Sequence, residues 1–412
     1  MPPMPTTQNT ETAALRLDAA INTLDGRIRG IRRFLHAHPE PSGEEFQTTA
    51  YLAELAQDAG LNFRIPRSGR GLIIDAGASV ARRRFAFRAD IDALRIHDEK
   101  SVVYRSRATD RMHACGHDAH TAMAAGAVLA LAECAETLPP GFAWRAVFQP
   151  EEESATGALA MIEDGAVEGI DAIIALHVDP TLAVGEIGYR HGALTATCEE
   201  FHVTIEGRGG HGARPHTTDD PVPAAALAVQ MIYSLVPRAV DARSPTVVSI
   251  GMIEGGVNPN VIPNEVVLRG TIRTIEPGGE DTVRARIGEI LRGIEQAANV
   301  RCRIDTPYRI GAVRNDLTVT NRCLKAARDL VTGDNLVPVA RPSMGGEDFA
   351  HYLDHAPGCM LRLGVGFPGE PVRHLHSNTF DINEDALSLG AKVLVRSLLE
   401  LHTGAGEDEN NL

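Results

Sequence analysis

The sequence predicts an α/β protein, a mainly parallel-sheet domain interrupted by a smaller α+β domain with an antiparallel sheet. Three observations carry this expectation. The chain has 412 residues, and a single core stops growing near about 250–300 residues. Short apolar runs alternate with helical patterns in the first half and again near the end, as parallel sheets with crossover helices require. Between about Gly188 and Asp305 the texture changes to strands and two helices in an order that suits an antiparallel sheet.

The elements follow in turn. Leu15, Ile21, Leu24, Ile28, Ile31 and Leu35 recur at helical spacing, so a helix is expected from Ala13 to Leu35, after a loose tail of ten residues. A second helix is expected from Thr48 to Gly60, closed by the glycine. Strand-like runs at Gly71–Gly77, Arg84–Ile91 and Trp144–Pro150 flank an alanine-rich helix, His120–Cys134, and a further strand, Asp171–Leu176, leads into His177. Parallel sheets carry functional groups at the carboxyl ends of their strands. Asp90 and Asp92, Glu152 and Glu153, and His177 all fall at such predicted ends.

The smaller domain is expected to hold the strand Glu199–Gly207, a helix Asp220–Leu235, strands Thr246–Gly256 and Asn264–Ile275, a helix Asp281–Ala298 and a strand at Arg301. A helix at Asp316–Leu330, a strand at Met360–Gly366, a final helix Asn383–Leu401 and an acidic tail, Gly406–Asn410, return to the α/β texture. The expected domains are therefore 1–188 with 306–412, and an insertion, 189–305.

Bulk composition narrows the function classes. Hydrophobic residues make up 43% and charged residues 23%, which places the chain among packed globular proteins and not disordered ones. With 54 acidic against 40 basic side chains, the formal charge is −14, the wrong sign for gripping phosphate backbones. The six cysteines are scattered, without the dense spacing of a disulfide scaffold, which fits a reducing cytoplasm. No basic segment followed by an apolar run opens the chain, and no apolar stretch is long enough to span a bilayer. A cytoplasmic protein with no nucleic-acid or membrane partner is expected.

The sharpest local signal is Met112-His113-Ala114-Cys115-Gly116-His117-Asp118-Ala119-His120. Thiolate and imidazole are the ligands borderline transition metals prefer, and this density favours a metal site over a buried thiol beside a capping histidine. The second signal is Glu151-Glu152-Glu153 directly after an apolar strand. Like charges gathered there call for a cation, although a solvated charged loop is the plainer alternative. One such carboxylate can ligate metal while a neighbour moves a proton. His177 and His376, each alone, read as satisfied structural residues and gain weight only from this company.

Six segments in order, Phe87–Leu94, Met112–Met123, Phe148–Ala158, Gly209–His216, Asn258–Val266 and Met344–Tyr352, together resemble the aminoacylase/carboxypeptidase family of co-catalytic metallopeptidases. Within it the chain is most similar to hippurate hydrolases and indole-acetyl-amino-acid hydrolases. The resemblance implies a metallopeptidase catalytic domain with an inserted dimerisation or lid domain, and two divalent ions per subunit, with zinc, manganese and cobalt as candidates. It implies metal ligands at Cys115, His117, Glu153, His177 and His376, and a general base at Glu152. Asp92 matches an aspartate that orients a ligand from behind, a duty Asp90 could share. His211 matches a histidine delivered across a dimer interface to polarise the scissile carbonyl. Asn260 and Arg273 match polar groups that hold a substrate carboxylate, for which arginine's planar fork is suited. Gly345 and Gly346 resemble a turn lining the pocket, with Glu347 and Asp348 fixing that loop.

The implied reaction is hydrolysis of the amide bond of an N-acyl amino acid to a carboxylic acid and a free amino acid, in a homodimer or larger homo-oligomer. A dipeptidase or N-carbamoyl-amino-acid hydrolase would use the same centre, and a non-catalytic binding protein could keep the fold. Two departures stand out. Glu151 replaces a usually small residue, and Arg95 stands where the group usually has proline.

Overall fold

The apolar periodicity of the first sixty residues forms two helices, α1 (Thr7–Ala37) and α2 (Phe46–Asp58), in a computed structural model that describes residues 7–77 and 83–408. Residues 7–10 are helical, so the expected loose tail of ten residues is corrected to at most the first six, which lie outside the described residues. Leu17, Ile21, Ile28, Ile31 and Leu35 of α1 are buried on one stripe, as an amphipathic helix requires.

Next come β1 (Phe63–Arg64), β2 (Leu72–Gly77), β3 (Phe85–Asp90), α3 (His117–Glu133), β4 (Ala143–Gln149), α4 (Gly157–Glu163), β5 (Ala172–Ala183), β6 (Ile187–Tyr189) and β7 (Gly192–Ala193). The chain then forms β8 (Thr197–Glu206), β9 (Gly210–His211), α5 (Pro221–Leu235), β10 (Thr246–Gly255), β11 (Val261–Ile262), β12 (Glu265–Thr274), α6 (Gly279–Ala298) and β13 (Arg301–Ile310). It closes with β14 (Arg314–Asn315), α7 (Leu317–Arg328), β15 (Leu336–Pro338), α8 (Ala350–Leu353), β16 (Gly358–Gly366) and α9 (Ala386–Asp408). The last helix runs on into the expected acidic tail, of which Glu409 and Asn410 lie outside the described residues.

Two compact units result, residues 1–194, 314–340 and 348–412, and residues 195–313 with 341–347. The larger holds an eight-stranded sheet in the order β1-β2-β4-β3-β5-β16-β6-β15, whose central run β4-β3-β5-β16 is parallel. The strands of that run are buried nearly throughout, as parallel strands covered on both faces are. In the smaller unit β10-β12-β8-β13 form an antiparallel sheet. Ala228 and Ile232 of α5 and Val283, Ile287 and Ile294 of α6 pack with Phe201, Val203, Leu268 and Ile272 of that sheet.

The unit borders differ from the sequence expectation of 189–305. Residues 187–193 stay with the larger unit because β6 pairs with β16 and β7 pairs with β14. Residues 341–347 join the smaller one through a hydrogen bond from Ala196 N to Gly345 O (3.3 Å) and packing of Gly346 against Cys198 and Ile310. That contact is distant in sequence and leaves no local signature. His177 also differs from expectation. It lies inside β5, opposite Arg362 of β16, because Val178-Asp179-Pro180 continue the extended chain beyond it.

Candidate metal centre

Three chain segments in the larger unit converge where β3 and β5 part, their pairing ending at Arg88 and Ala175. The β3 strand leads to Asp90 and Asp92, the start of α3 supplies Cys115 and His117, and the loop after β4 supplies Glu152 and Glu153. Gly116 makes the entry to α3 possible. Its φ is 88°, and a Cβ there would sit 2.4 Å from Val178 Cγ2, so only glycine fits.

Hydrogen bonds fix which histidine nitrogens are available. His120 donates from Nδ1 to Asp90 Oδ1 (2.6 Å), and its Nε2 accepts from Val178 N (2.9 Å). Both nitrogens are committed, so His120 holds Asp90 and β5 in place. His117 donates from Nδ1 to Asp92 O (2.9 Å), with Asp92 Oδ1 3.0 Å away, and His177 donates from Nδ1 to Val178 O (2.8 Å). Their Nε2 lone pairs are thereby turned inward, the arrangement in which an outer partner orients a ligating imidazole. Among the described residues Asp90 makes no hydrogen bond to His117, from whose Nε2 its Oδ2 lies 3.9 Å away. Its carboxylate is taken by His120 and by Arg88 Nη1 (2.6 Å).

Around these lone pairs, ligand atoms gather in overlapping groups within 4.8 Å: Cys115 with His117 and His177, Cys115 with Glu153 and His376, and His117 with Glu152 and Glu153. His177 Nε2 is 3.7 Å from Cys115 Sγ, and His376 Nε2 is 3.3 Å from Glu153 Oε1 without hydrogen-bond alignment. His376 has φ 61°, with its amide held by Ala114 O (2.8 Å), a strained backbone of the kind that clusters at functional sites.

The donor set fits divalent cations. Among the described residues His117 Nε2 and Glu153 Oε1 are buried with no hydrogen-bond partner, a costly state unless an ion satisfies them. Burial pushes the Cys115 thiol well up and, with Arg362, pushes His177 well down. Burial opposes charge on His117 too, but Asp90, Cys115 and Asp92 outweigh it and raise its pKa. A cation among thiolate, imidazole and carboxylate would reverse the penalty on Cys115 and suit a borderline transition metal.

In the smaller unit His211 and Asn260 come together. Val261 pairs with His211 across β9 and β11, and Gly212 N donates to Asn260 O (2.9 Å). His211 is exposed. Arg273 is elsewhere, at the far end of β12, where Nη1 donates to Met344 O (2.7 Å) and lies 3.2 Å from Cys198 Sγ. Gly345 neighbours that carbonyl. The eight steps of strand from Glu265 to Arg273 span roughly 27 Å, so within the chain Asn260 and Arg273 do not meet on one small carboxylate.

Several residues outside the motifs, Arg88, Arg32 and Ser42 among them, also shape the site. Arg88 is a buried cation inside β3, bonded to Asp90, Gln149 Oε1 (2.8 Å) and Asp348 Oδ1 (2.7 Å), and Asp348 also accepts from Ala158 N (3.0 Å). An arginine in an otherwise apolar strand was the available signal. Arg32 is fully buried among Asp118, Asp381 and Glu384 (2.8, 2.8 and 3.2 Å), and Ser42 donates to Asp92 Oδ2 (2.6 Å). Arg95 pairs with Glu44, which Arg111 also meets at 2.8 Å.

Residues 86–400 match the profile described as Peptidase family M20/M25/M40. The chain belongs to this family. Membership makes it a metal-dependent hydrolase of amide bonds, and the M20/M25/M40 match covers both units. An N-acetyl-L-cysteine deacetylase of Bacillus subtilis is 35% identical over 381 residues, covering 92% of this chain and 89% of that one. An N-acetyldiaminopimelate deacetylase of Anoxybacillus flavithermus is 35% identical over 369 residues, covering 89% and 95%. Among solved structures, the Bacillus subtilis YXEP protein, described as a dinuclear metal-binding peptidase of the M20 family, superposes with a TM-score of 0.79 at 29% identity, covering 92% and 99%. No helix among the described residues is long and apolar enough to cross a membrane.

Proposed function

We propose that the protein hydrolyses small N-acyl amino acids, with Glu152 as general base and two divalent ions held by Cys115, His117, Glu153, His177 and His376. The observation that carries this reading is the inward-turned, unpartnered Nε2 of His117 beside Cys115, Glu152 and Glu153, in an M20 chain related to deacetylases of N-acetyl amino acids. Cys115, His117 and Glu153 each belong to at least two of the overlapping ligand groups, which suits a site that would hold two neighbouring ions. When bound, divalent cations supply Lewis-acid polarisation of the carbonyl and acidify water. Zinc and manganese, with cobalt as a third candidate, match the mixed donors.

Glu152 takes a proton from the attacking water as the new C–O bond forms and delivers it to the leaving nitrogen as the C–N bond breaks. Asp92 keeps His117 in the tautomer that offers Nε2. His211 polarises the acyl carbonyl, while Asn260, Arg273 and the turn at Gly345 bind the amino-acid carboxylate. A homodimer reconciles these roles with the length of β12, because His211 and Asn260 of one subunit and Arg273 of the other then serve one substrate. Paired with β12 on one side, β10 is an edge strand among the described residues and exposes Val247, Met252 and Ile253, the kind of edge that invites a second strand.

The test is amino-acid release from N-acetyl, benzoyl and indole-acetyl amino acids, set against a dipeptide and an N-carbamoyl amino acid, after stripping and reloading with each metal. Turnover of the acyl compounds with at least tenfold preference supports the reading. Preference for the dipeptide or carbamoyl compound overturns the substrate assignment.

A further inference from the structure

Glu151 stands where the resembling group has a small residue, and nothing in the reaction described above uses it. Its backbone φ is 57°, a left-handed conformation that a glutamate rarely adopts. Such a residue persists only where its surroundings hold it, and here each of its polar groups is engaged. The amide donates to Glu45 Oε1 (2.9 Å). The carbonyl accepts from Gly157 N (3.2 Å) and Ser154 Oγ (3.3 Å). One carboxylate oxygen meets Arg70 Nη1, and the other accepts from Thr156 Oγ1 (2.9 Å).

Arg70 Nη1 also lies 3.3 Å from Glu45 Oε2, and Glu45 is fully buried at the start of α2. The three side chains therefore tie α2, the turn before β2 and the loop after β4 to one another. Two residues on, Glu153 N donates to Asp92 Oδ2 (3.0 Å). Glu152 is thus flanked by two amides, each anchored on a carboxylate buried in another segment.

We infer that Glu45, Arg70 and Glu151 form a clamp that positions Glu152 and Glu153, so that Glu151 is a positioning residue and not a bystander of the acidic run. This rests on the reading of Glu152 as base and Glu153 as ligand. The clamp replaces the conformational freedom of a small residue with charge-assisted hydrogen bonds, which are shorter and stronger than neutral ones. A base displaced by about 1 Å loses on the order of a hundredfold in rate.

The experiment compares Glu151→Ala, Glu151→Gln, Arg70→Met and Thr156→Val with wild type and Glu152→Gln. It reads kcat and KM separately, zinc affinity by competition with a chromogenic chelator, and hydrogen exchange of amides 151–157 in the stripped and zinc-loaded proteins. Expected are a ten- to hundredfold loss of kcat in Glu151→Ala and Arg70→Met with KM within twofold, weaker zinc binding and faster exchange of the loop. The Arg70→Met/Glu151→Ala double variant should be no worse than either single one. Glu151→Gln keeps an acceptor for Arg70 and lets Thr156 Oγ1 accept from the amide in place of donating to the carboxylate, and should retain kcat within threefold. Should Glu151→Ala not fold, Thr156→Val, which removes one bond to the carboxylate, decides by showing a smaller loss of kcat and faster exchange. Wild-type kcat, zinc affinity and exchange in whichever of these two variants decides overturns the clamp, as does a loss of activity that only follows the folded fraction. An active Glu152→Gln would instead overturn the assignment of the base.

Discussion

One carboxylate, that of Asp92, lies 3.0 Å from His117 Nδ1 with one oxygen and accepts from the Glu153 amide at 3.0 Å with the other. A single side chain thus sets the orientation of two candidate ligands from different segments. Asp92→Asn should weaken metal binding by about 10–100-fold, the usual effect of removing an outer partner, because the amide nitrogen opposes at least one of the three donors, His117 Nδ1, Glu153 N and Ser42 Oγ, that the carboxylate faces. Chelator competition measures this. Unchanged affinity would show that backbone contacts alone orient His117.

Metal bound only by the folded state stabilises it by mass action, about 4 kcal/mol when free metal is a thousandfold above Kd. The thermal midpoint of the stripped protein should therefore climb with added zinc or manganese, and the climb should shrink in Cys115→Ser. A midpoint insensitive to metal would place the ions elsewhere or nowhere.

Arg32 is fully buried, and Asp118, Asp381 and Glu384 depend on it. Arg32→Met should cost about 3–5 kcal/mol, since it leaves buried carboxylates without their cation. Equilibrium denaturation of the stripped protein reads this, and a loss under 1 kcal/mol would mean that the network relaxes or admits water.

The same network gives the acid response a sign. Burial raises the Asp381 pKa, but Arg32 and Tyr104 outweigh it and hold it below the ordinary value. A carboxylate depressed in the folded state stabilises above its unfolded pKa, about 3.9, and that contribution fades as pH falls through the lower folded value. Stability of the stripped protein should thus decline below about pH 4, and less steeply in Arg32→Met. Denaturation midpoints between pH 2 and 7 check both slopes.

Much of the site was legible because its chemistry is local. Cys115 and His117 share one turn, and Glu152 and Glu153 follow one strand, so the two clusters pointed to a cation, while the roles of Glu152 as base and Glu153 as ligand came from the resemblance to the aminoacylase/carboxypeptidase family. The partners that fix them are not local. Asp90 was visible, but its commitment to His120 depends on how α3 packs against β3 and β5. His177 looked like a strand end because polar residues follow it, although the hydrogen-bonded ladder with β16 carries the strand onward. The join of Arg341–Glu347 to the smaller unit and the bonds around Glu151 likewise arise from contacts between segments far apart in sequence, which no periodicity encodes.

The central claim, amide hydrolysis driven by a carboxylate base at a metal centre, is tested most directly with Glu152→Gln loaded with metal alongside wild type. Metal content by elemental analysis and amino-acid release from an N-acetyl amino acid are read on the same samples. The account predicts unchanged metal content with kcat lowered on the order of 10²–10⁴-fold. Release at the wild-type rate, or equal release by metal-stripped wild type, would contradict it.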